Sequence, residues 1–578
     1  MQDNLTACPL DCYDACGIEY DKGRLKGVRS GLTHGFLCQH LNHYSKFSRI
    51  LSPRYRGESI SMDEALFKLK GMLLDTPKKE ILHYRSSGNF GLMQEVSDHF
   101  FASLGATLTN GSLCDGAGEA GIVKGRGSNK NMPIDEMSKS DVVIVWGRNP
   151  HVTSSHLLPI IKNKKLIVID PIKTTIATQA DIFIQIKPHC DSYLAMILTK
   201  FSFLNKLFDE EYLNKYASKY KEYYQQLENI DLLSTLDYIG VTLEQIENIY
   251  TLIQSKKVAI VTGVGIQKYK DGADTTHSID ALATVLGLFG REGCGVSYLG
   301  NSKEAINSPF MTQSRRVSKV NTPFNEFKTV FIQAANPLCQ MPDTHRVKST
   351  LSSTQNIIYF GLYENETSDV ADLVIPAKNF LEKSDIRTSY SHNNMMMMQK
   401  QYESEIGISE YDLVSYLCHA FKIDFKDEAE YIKHFMNFSK INGDTLKVSN
   451  REEIPYTNGF DTDDREFNFP EKLEIAKESK DGFYLISCKS PKSLNSQFKR
   501  EEFVYLHSSH DFLENEQVKL SSKQGSVTLK VKHNDNLRRD SILVYSGTMG
   551  VNNLTCSEHS SEGKNAIYQE NRVQISKC

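Results

Sequence analysis

The segment DVVIVWGRNPHVTSSHLLPIIKNKKLIVIDP (141–171) decides the fold class of this chain. Two short runs rich in Val and Ile, at 141–147 and 165–171, flank a stretch with helical character. Apolar runs of this length, separated by a helix, are typical of neighbouring parallel strands that are buried on both faces. The segment therefore predicts a β–α–β unit within a parallel sheet.

Strand and helix patterns alternate on both sides of this unit. Helices are predicted at SISMDEALFKLKGMLL (59–74), EVSDHFFASLG (95–105) and SIDALATVLGLFG (278–290), and further strands at 81–87, 181–188, 258–265, 329–337 and 356–363. Such alternation predicts a doubly wound α/β core. Short alternating strands after residue 478 instead indicate an antiparallel barrel or sandwich.

Length and composition narrow the class of protein. The 578 residues suffice for about three to five domains. With 40% hydrophobic and 24% charged residues, the chain has the composition of a globular protein. A formal net charge of −4 gives no general attraction to nucleic acid. Because the N-terminus has no basic, apolar leader and no long apolar run follows, we expect a cytoplasmic protein without direct membrane insertion.

Four of the twelve cysteines lie within the first 38 residues, as Cys8, Cys12, Cys16 and Cys38. Four thiolates suit either tetrahedral zinc or a [4Fe–4S] cluster. Structural zinc sites usually contain tight C-x2-C pairs, and this spacing contains none. The pattern therefore favours the iron–sulfur cluster, while zinc and a chance grouping of unrelated cysteines remain alternatives.

Small and polar residues follow several predicted strands. They include WGRNPHVTSSH (146–156), Asp170, and TGVGIQ (262–267), in which Gly263 and Gly265 permit close approach to the backbone. None matches the G-x-G-x-x-G pattern, and each turn alone is compatible with an ordinary strand-to-helix connection. Their recurrence at successive strand ends favours a large, extended ligand.

A separate loop, GSLCDGAGEAG (111–121), carries a lone cysteine, Cys114. A thiolate there suits a soft metal ligand or a nucleophile, and the alternative is a small buried thiol. The neighbouring glycines favour close approach of a ligand.

Taken together, these segments resemble the molybdopterin oxidoreductases of the dimethyl-sulfoxide-reductase type with an N-terminal [4Fe–4S] domain. Within this family, the chain resembles the CPLDC-type variant, whose substrate is unassigned. It rests on an ordered series of motifs from about residue 8 to 575: CPLDCYDAC, HGFLC, WGRNPHVT, VTGVGIQ, IQAANP, SPKSLNSQF and GVNNLTCSEHSSEGKNAIYQENRV.

The resemblance implies a multidomain α/β protein whose doubly wound parallel core domains surround a buried cofactor. A small N-terminal Fe–S domain and a C-terminal antiparallel β-barrel complete it. The expected boundaries are 1–53 for the [4Fe–4S] domain, 54–138 plus 325–445 for a discontinuous α/β domain, 139–324 for a dinucleotide-binding-like α/β domain, 446–478 for a linker, and 479–578 for the molybdopterin dinucleotide-binding β-barrel.

By motif alignment, the resemblance also implies a bis-molybdopterin guanine dinucleotide with molybdenum or tungsten. Cys114 would be the protein ligand to that metal. One nucleotide half would contact Trp146, Gly147, Asn149, Asp170, Thr174 and Asp191. The other would contact Gly263, Gly265, Gln267, Asn336 and Glu366. The C-terminal domain would contribute Asn495, Ser496, Asn552, Tyr568 and Gln569.

Two departures from the family pattern concern catalysis. His40 stands where the family usually has a Lys that bridges cluster and pterin, so we assign His40 to the electron path beside the catalytic ligand Cys114. Asp115 follows Cys114 where formate dehydrogenases of the family have a His, which argues against formate as the substrate.

The resemblance implies an oxidoreductase that acts on a small molecule and passes electrons through one [4Fe–4S] cluster. Its partner would be a ferredoxin-like or other redox protein. One alternative is an electron-wiring subunit of the same fold without molybdenum, similar to the large subunit of complex I, although Cys114 and the continuous cofactor motifs oppose it. Another is a non-redox tungsten hydratase.

Overall fold

The computed structural model describes residues 3–41, 44, 48–471, 473, 475 and 481–578. Its centre is a fully parallel five-stranded sheet that includes the segment 141–171. In spatial order, its strands are Ile182–Ile184, Lys165–Ile169, Val142–Trp146, Val258–Thr262 and Gly295–Ser297. The predicted β–α–β unit is confirmed, with short helical turns between its two strands.

The order of these strands creates a crevice. From Val142–Trp146 the chain continues to Lys165–Ile169 on one side, and Val258–Thr262 pairs on the other side. Trp146 is level with both Ile169 and Thr262, so the three strands end at one edge. Ligands of open α/β sheets bind outside the carboxyl ends of strands at such a switch point.

A second, larger sheet faces the same region. It has eight strands, in the order Arg316–Ser318, Thr107–Asn110, Ile81–Arg85, Thr329–Gln333, Asn356–Gly361, Leu373–Pro376, Arg54–Tyr55 and Glu58–Ser59. Its first six strands run parallel. The edge strand Arg316–Ser318 belongs to this sheet, because it pairs with Thr107–Asn110. It lies before residue 325, the position at which the sequence predicts that this domain resumes.

Helices cover these sheets. The first begins at Ser61, whose side chain forms a capping box with Glu64, and the second ends at Gly105 in the left-handed conformation. None of the helices in the described part of the chain has the length and apolar character needed to cross a bilayer. The α-helices are Met62–Leu74, Val96–Leu104, Gly116–Arg126, Ile134–Met137, Pro150–Thr153, Leu158–Ile161, Asp191–Leu204, Glu210–Tyr216, Tyr220–Glu228, Leu232–Ile239, Leu243–Ile253, Gly272–Val285, Pro337–Gln340, Thr344–Leu351, Glu366–Asp369, Glu410–Phe421 and Glu428–Met436.

The remaining strands form smaller units. Leu5–Ala7, Gly17–Asp21 and Arg24–Gly27 form an N-terminal sheet, and Ser493–Leu494 pairs with Gln497–Phe498. A four-stranded sheet contains Asp385–Arg387, Asn394–Met398, Thr445–Val448 and Ser439–Asn442. The C-terminal barrel closes in the order Phe483–Ile486, Ser541–Leu543, Phe503–Leu506, Ser526–His533, Gln517–Ser521 and Arg572–Lys577.

Two expectations need correction. The barrel is not wholly antiparallel, because Phe483–Ile486 and Phe503–Leu506 each have a parallel neighbour. The segment 446–478 is not a free linker where the structure describes it: Tyr456, Phe460 and Phe467 are buried in the core around the five-stranded sheet. Residues 472, 474 and 476–478 of this segment lie outside the described residues.

Candidate functional site

The two parallel sheets, the N-terminal cysteine loop and the barrel enclose one cavity of about 800 Å³. A smaller cavity of about 290 Å³ shares several wall residues with it, including Asp11 and Asn495. The walls come from segments hundreds of residues apart in sequence.

All four N-terminal cysteines line the larger cavity. The loop closes through a hydrogen bond of 2.9 Å from the Cys8 amide to the Cys16 carbonyl. The buried Arg387 guanidinium donates to the carbonyls of Cys8 and Cys12 at 2.5 and 3.2 Å, and thus ties the loop to the four-stranded sheet. Every cysteine of the chain is a free thiol.

The electrostatics of this loop disfavour isolated thiolates. Burial raises the pKa of the Cys8 thiol to about 11, although Arg387 opposes the shift. Burial also raises the pKa of Cys12 and Cys16 well above the usual value, and neighbouring cysteines and Asp14 add to the effect. Burial also raises the pKa of the Cys38 thiol. A metal centre would supply the positive charge that stabilises these four groups as thiolates.

A buried histidine contacts this group. His156 Nδ1 lies 2.9 Å from Asp14 Oδ2 and 3.4 Å from Cys16 Sγ, while Nε2 lies 3.1 Å from the Phe36 carbonyl. Ligand atoms of Asp14, Cys16 and His156 all lie within 4.8 Å of one another, which is also a spacing suited to a zinc ion. Sequence analysis missed His156, because nothing in its local pattern places it beside a cysteine 140 residues earlier.

His40 also lies in the wall of the larger cavity. It is buried, and its Nε2 is 3.2 Å from the Val152 carbonyl. Cys12 Sγ contacts the carbonyl of the adjacent Thr153 at 3.6 Å. The expected residue of the electron path is therefore beside the cysteine loop.

Cys114 lies between a strand and a helix at the carboxyl edge of the eight-stranded sheet. The strand Thr107–Asn110 leads into Gly111, whose φ of +86° favours glycine, and the helix Gly116–Arg126 begins two residues after Cys114. Ser112 Oγ accepts a hydrogen bond of 2.9 Å from the Cys114 amide. Cys114 is one of the residues that line the larger cavity.

Gln267 has a different position from the one expected. It does not line the cavity. Its Nε2 donates to the Cys114 carbonyl at 2.8 Å, and its Oε1 accepts from the Gly118 amide at 2.9 Å. Both ends of this amide thus hold the Cys114 loop and the start of the helix that follows it.

Charged groups surround Cys114. Burial raises the pKa of its thiol to about 12, with Asp115 and Asp11 adding to the shift and Lys268 and Lys489 opposing it. Burial and the nearby Glu119 raise the pKa of Asp115 to about 6. An unbound Cys114 is therefore a thiol, and a metal cation would favour its thiolate form.

The residues assigned to the first nucleotide half converge at the switch point of the five-stranded sheet. Five of the six line the larger cavity, namely Gly147, Asn149, Asp170, Thr174 and Asp191. The sixth, Trp146, is buried behind the wall and donates to Asp191 Oδ1 at 2.7 Å, so it positions Asp191.

This wall has features that suit a polar ligand. Asn149 Oδ1 and Thr174 Oγ1 are buried without a hydrogen-bond partner among the described residues. Buried polar atoms are normally satisfied, so such orphans indicate a missing partner. A Cβ atom built on Gly265 would meet nothing within 4 Å and would occupy the cavity itself.

Of the residues expected to contact the second nucleotide half, those that line a cavity are divided between the two cavities. Gly263 and Gly265 line the larger cavity with the first group, because their strand adjoins Val142–Trp146. Asn336 lines the smaller cavity, and its Nδ2 donates to Glu366 Oε2 at 2.8 Å. Glu366 in turn pairs with Arg500 at 2.6 Å. Gly263 and Gly265 therefore follow a strand of the five-stranded sheet, whereas Asn336 follows a strand of the eight-stranded sheet.

The expected C-terminal residues reach the same walls. Asn495, Asn552, Tyr568 and Gln569 line the larger cavity, and Ser496 lines the smaller one. Asn495 donates to Asp11 Oδ2 at 3.2 Å, and Tyr568 donates to the Gln340 carbonyl at 2.6 Å. The C-terminal domain therefore forms part of the wall of both cavities.

These observations define a class of protein. Crowded buried thiols, a lone thiol, glycine turns and unsatisfied polar atoms around one large cavity fit a protein that holds a large, metal-bearing cofactor. A model of the molybdopterin oxidoreductase family matches residues 84–414, more than half of the chain. The chain belongs to this family, and the resemblance inferred from the motifs is confirmed.

Comparisons with known proteins agree with this assignment. The chain is 26% identical over 467 residues to the probable oxidoreductase YyaE of Bacillus subtilis, covering 74% of this chain and 70% of that protein. It is 24% identical to the F420-dependent formate dehydrogenase 1 subunit alpha of Methanococcus maripaludis, covering 65% of this chain and 64% of the relative. The fold is similar to that of acetylene hydratase from Pelobacter acetylenicus, with a TM-score of 0.76 at 14% identity and complete coverage of both chains.

Proposed function

We propose that the protein is an oxidoreductase with a bis-molybdopterin guanine dinucleotide cofactor, containing molybdenum or tungsten, and one [4Fe–4S] cluster. It acts on a small molecule and exchanges electrons with a ferredoxin-like or other redox partner. Family membership supports a molybdopterin cofactor with one of these metals. The cluster, the number of pterins and the partner are our inference.

One observation carries the proposal: the cluster-type cysteines, Cys114 and the strand-end glycines line the same cavity. A structural zinc site or an electron-wiring subunit without molybdenum has no need of a lone thiol beside a cavity of about 800 Å³. Cys8, Cys12, Cys16 and Cys38 would hold the cluster, and Cys114 would be the protein ligand to the metal. The polar residues of the two cavities would hold the dinucleotides.

The residues of the chain position the cofactor and control its surroundings. When bound, the cofactor supplies two-electron chemistry at the metal, and the cluster passes electrons singly. Gln267 holds the Cys114 carbonyl, Trp146 holds Asp191, and Arg387 holds the cysteine loop. The domain boundaries expected from the sequence remain our proposal, with a C-terminal barrel that covers the nucleotides.

The decisive experiment is metal, sulfide and nucleotide analysis of protein purified anaerobically from a host that makes the pterin and has both metals. We expect about four irons and four acid-labile sulfides per chain. We also expect about one molybdenum or tungsten and about two guanine nucleotides, since each pterin carries one. A variant in which all four N-terminal cysteines are changed to Ser should lose its iron, and the fraction of guanine nucleotide that it loses should be smaller than the fraction of iron.

Other results would contradict the proposal. Stoichiometric zinc without labile sulfide would favour the site formed by Asp14, Cys16 and His156. Iron and sulfide without molybdenum, tungsten or guanine would favour the wiring subunit.

The structural similarity to acetylene hydratase makes non-redox hydration the second candidate. Freeze-quenched samples mixed with substrate distinguish the two. An oxidoreductase changes the oxidation state of its metal during turnover and requires an external electron donor or acceptor. A hydratase does neither.

A further inference from the structure

One contact of the N-terminal cysteine loop leads away from the cavities and towards solvent. His156 Nδ1 lies 3.4 Å from Cys16 Sγ, and the His156 ring stacks on Phe36 with 4.2 Å between the ring centroids and 24° between the planes. Neither His156 nor Phe36 lines either of the two cavities, whereas His40 lines the larger one. Phe36 is 39% exposed, so two rings in contact connect a cluster-type cysteine with the surface.

The inner ring of this connection has a fixed orientation. His156 is buried, its Nδ1 also lies 2.9 Å from Asp14 Oδ2, and its Nε2 lies 3.1 Å from the Phe36 carbonyl oxygen. Both ring nitrogens therefore have polar partners in addition to the Cys16 sulfur. The stack on Phe36 follows from these contacts and does not depend on a freely rotating side chain.

The outer ring is held by its own backbone. The Phe36 amide donates to the Thr33 carbonyl at 3.0 Å. A Cβ atom on Gly27 would lie 2.5 Å from the Phe36 carbonyl oxygen, so a glycine at this position lets the strand Arg24–Gly27 support the loop. Cys38 follows two residues later. The exposed ring therefore has a defined place beside the loop that carries the fourth cluster-type cysteine.

Such a connection has a use in a protein that exchanges electrons with a partner. Electron transfer slows steeply as the gap between two redox centres widens, so a carrier should dock where a cluster is connected to the surface by the fewest contacts. Single exposed apolar side chains are common and need no explanation. Phe36 differs from the 73% exposed Phe67 because its ring stacks on a side chain that touches a cluster-type cysteine.

We propose that the surface around Phe36 is the docking site of a one-electron carrier, an acidic protein of the ferredoxin type, and that electrons pass between this carrier and the cluster through Phe36 and His156. In each transfer one electron leaves the reduced carrier and enters the cluster, and no bond is made or broken. This inference rests on the proposed function for the [4Fe–4S] cluster and is independent of the molybdenum or tungsten cofactor.

Arg29 gives this surface a charge that suits an acidic carrier. It is exposed, and its Cγ lies 4.0 Å from the position that a Cβ atom on Gly35, the residue before Phe36, would occupy. Asp444 accepts a hydrogen bond from the adjacent Ser30, but no carboxylate oxygen of the described residues lies within ion-pairing distance of Arg29. The Arg29 guanidinium can therefore pair with a carboxylate of the carrier.

The test mixes oxidised holoenzyme with reduced carrier in a stopped-flow spectrometer in the absence of oxygen. The carrier is an acidic plant-type [2Fe–2S] ferredoxin, whose reoxidation is followed by its own absorbance, which differs from that of a [4Fe–4S] cluster. The wild type is compared with Phe36→Leu, Phe36→Tyr and Arg29→Gln. Each protein is also reduced by the methyl viologen radical, a small donor that needs no docking surface.

Phe36→Leu should lower the second-order rate constant with ferredoxin by roughly tenfold, the size expected for loss of an aromatic interface residue. Phe36→Tyr should stay within about threefold of the wild type, because the ring remains. Arg29→Gln should lower this rate constant by up to about fivefold at low ionic strength and leave it unchanged at high ionic strength. Reduction by methyl viologen should be the same in all four proteins.

Phe67→Leu is the matched control, because Phe67 is an exposed phenylalanine on the helix Met62–Leu74. This variant should react with both donors at the rates of the wild type. Iron and acid-labile sulfide are measured on every sample, so that a change in cluster content is not mistaken for a change in docking.

The proposal is wrong if ferredoxin reduces Phe36→Leu as fast as the wild type. It is also wrong if Phe36→Leu slows the reaction with both donors equally, since the cluster itself would then be altered. Zinc without labile sulfide in the wild type overturns both this route and the proposed function. Iron and sulfide without molybdenum or tungsten contradict the proposed function alone, and the ferredoxin rates still decide the route.

Discussion

At the scale of single residues, three hydrogen bonds hold the backbone around Cys114. Its amide, its carbonyl and the preceding carbonyl are each held, by Ser112, Gln267 and Lys268 respectively. The backbone around the thiol is thus held by three hydrogen bonds at a position that lines the cavity. A metal ligand needs such preorganisation of its backbone, whereas a thiol that is only buried does not need it.

Cys114→Ala should remove one sulfur neighbour from the molybdenum or tungsten and abolish or strongly reduce turnover. The iron content and the fold should persist, because the cluster cysteines and the loop contacts are separate from this sulfur. X-ray absorption at the metal edge measures the sulfur count in the wild type and the variant.

Cys294→Ala is the control for that experiment, since Cys294 is half-buried and lies outside the cavity wall. Cys114→Ser should retain metal with an oxygen in place of the sulfur. Equal sulfur counts in the wild type and Cys114→Ala would remove Cys114 from the metal site.

At the scale of elements, the helix after Cys114 depends on glycine. Gly116–Arg126 packs against Gly272–Val285 so closely that a Cβ atom on Gly121 would lie 2.0 Å from the Ala273 carbonyl oxygen. At the end of the same helix, the buried Arg126 Nε donates to Asp280 Oδ2 at 2.7 Å. This contact sets the position of the helix and therefore of the loop that precedes it.

Gly121→Ala should destabilise the protein by about 1–3 kcal/mol, because the helices must separate to admit the methyl group. The control is Gly71→Ala in the helix Met62–Leu74, where a Cβ atom would meet nothing within 4 Å. That change should stabilise the protein by about 0.5–1 kcal/mol through helix propensity. Thermal unfolding of both variants measures the difference, and equal effects would show that the close packing has no energetic consequence.

Local patterns in the sequence were enough to predict the main elements, and they failed where a role depends on distant contacts. The strand Val142–Trp146 is a continuous apolar run, and the helix Met62–Leu74 begins at a capping box of Ser61 and Glu64. Both signals lie within the segment itself. His156 carries no such signal, because its position beside Cys16 arises only when two segments 140 residues apart meet in the fold. The family resemblance implies a nucleotide contact for Gln267, and only the folded structure shows its two hydrogen bonds to the Cys114 loop and the helix that follows.

At the scale of the whole molecule, the wall of the larger cavity contains buried acidic residues. Burial raises the pKa of Asp170 to about 7 and that of Asp191 to about 6. A carboxyl whose pKa is higher in the folded state than in the unfolded state binds more protons when folded. Its contribution to stability is therefore greatest at low pH and falls as pH rises from about 4 towards 7.

Cofactor-free protein should accordingly lose thermal stability between pH 5 and pH 8, at up to about 1.4 kcal/mol per pH unit for each such group. Asp170→Asn keeps the acceptor for the Ile172 amide, which bonds Asp170 Oδ1 at 2.8 Å, but removes the charge. The Asp170→Asn variant should unfold at a higher temperature than the wild type, by a margin that widens from pH 5 to pH 8, whereas Asp463→Asn, at an exposed position, should leave the unfolding temperature unchanged at both pH values. Scanning calorimetry of cofactor-free protein from a host unable to make the pterin gives both temperatures. If the difference between Asp170→Asn and the wild type is the same at the two pH values, the Asp170 carboxyl does not gain a proton on folding. The residues around Asp170 in the cavity wall would then stabilise its negative charge without a ligand.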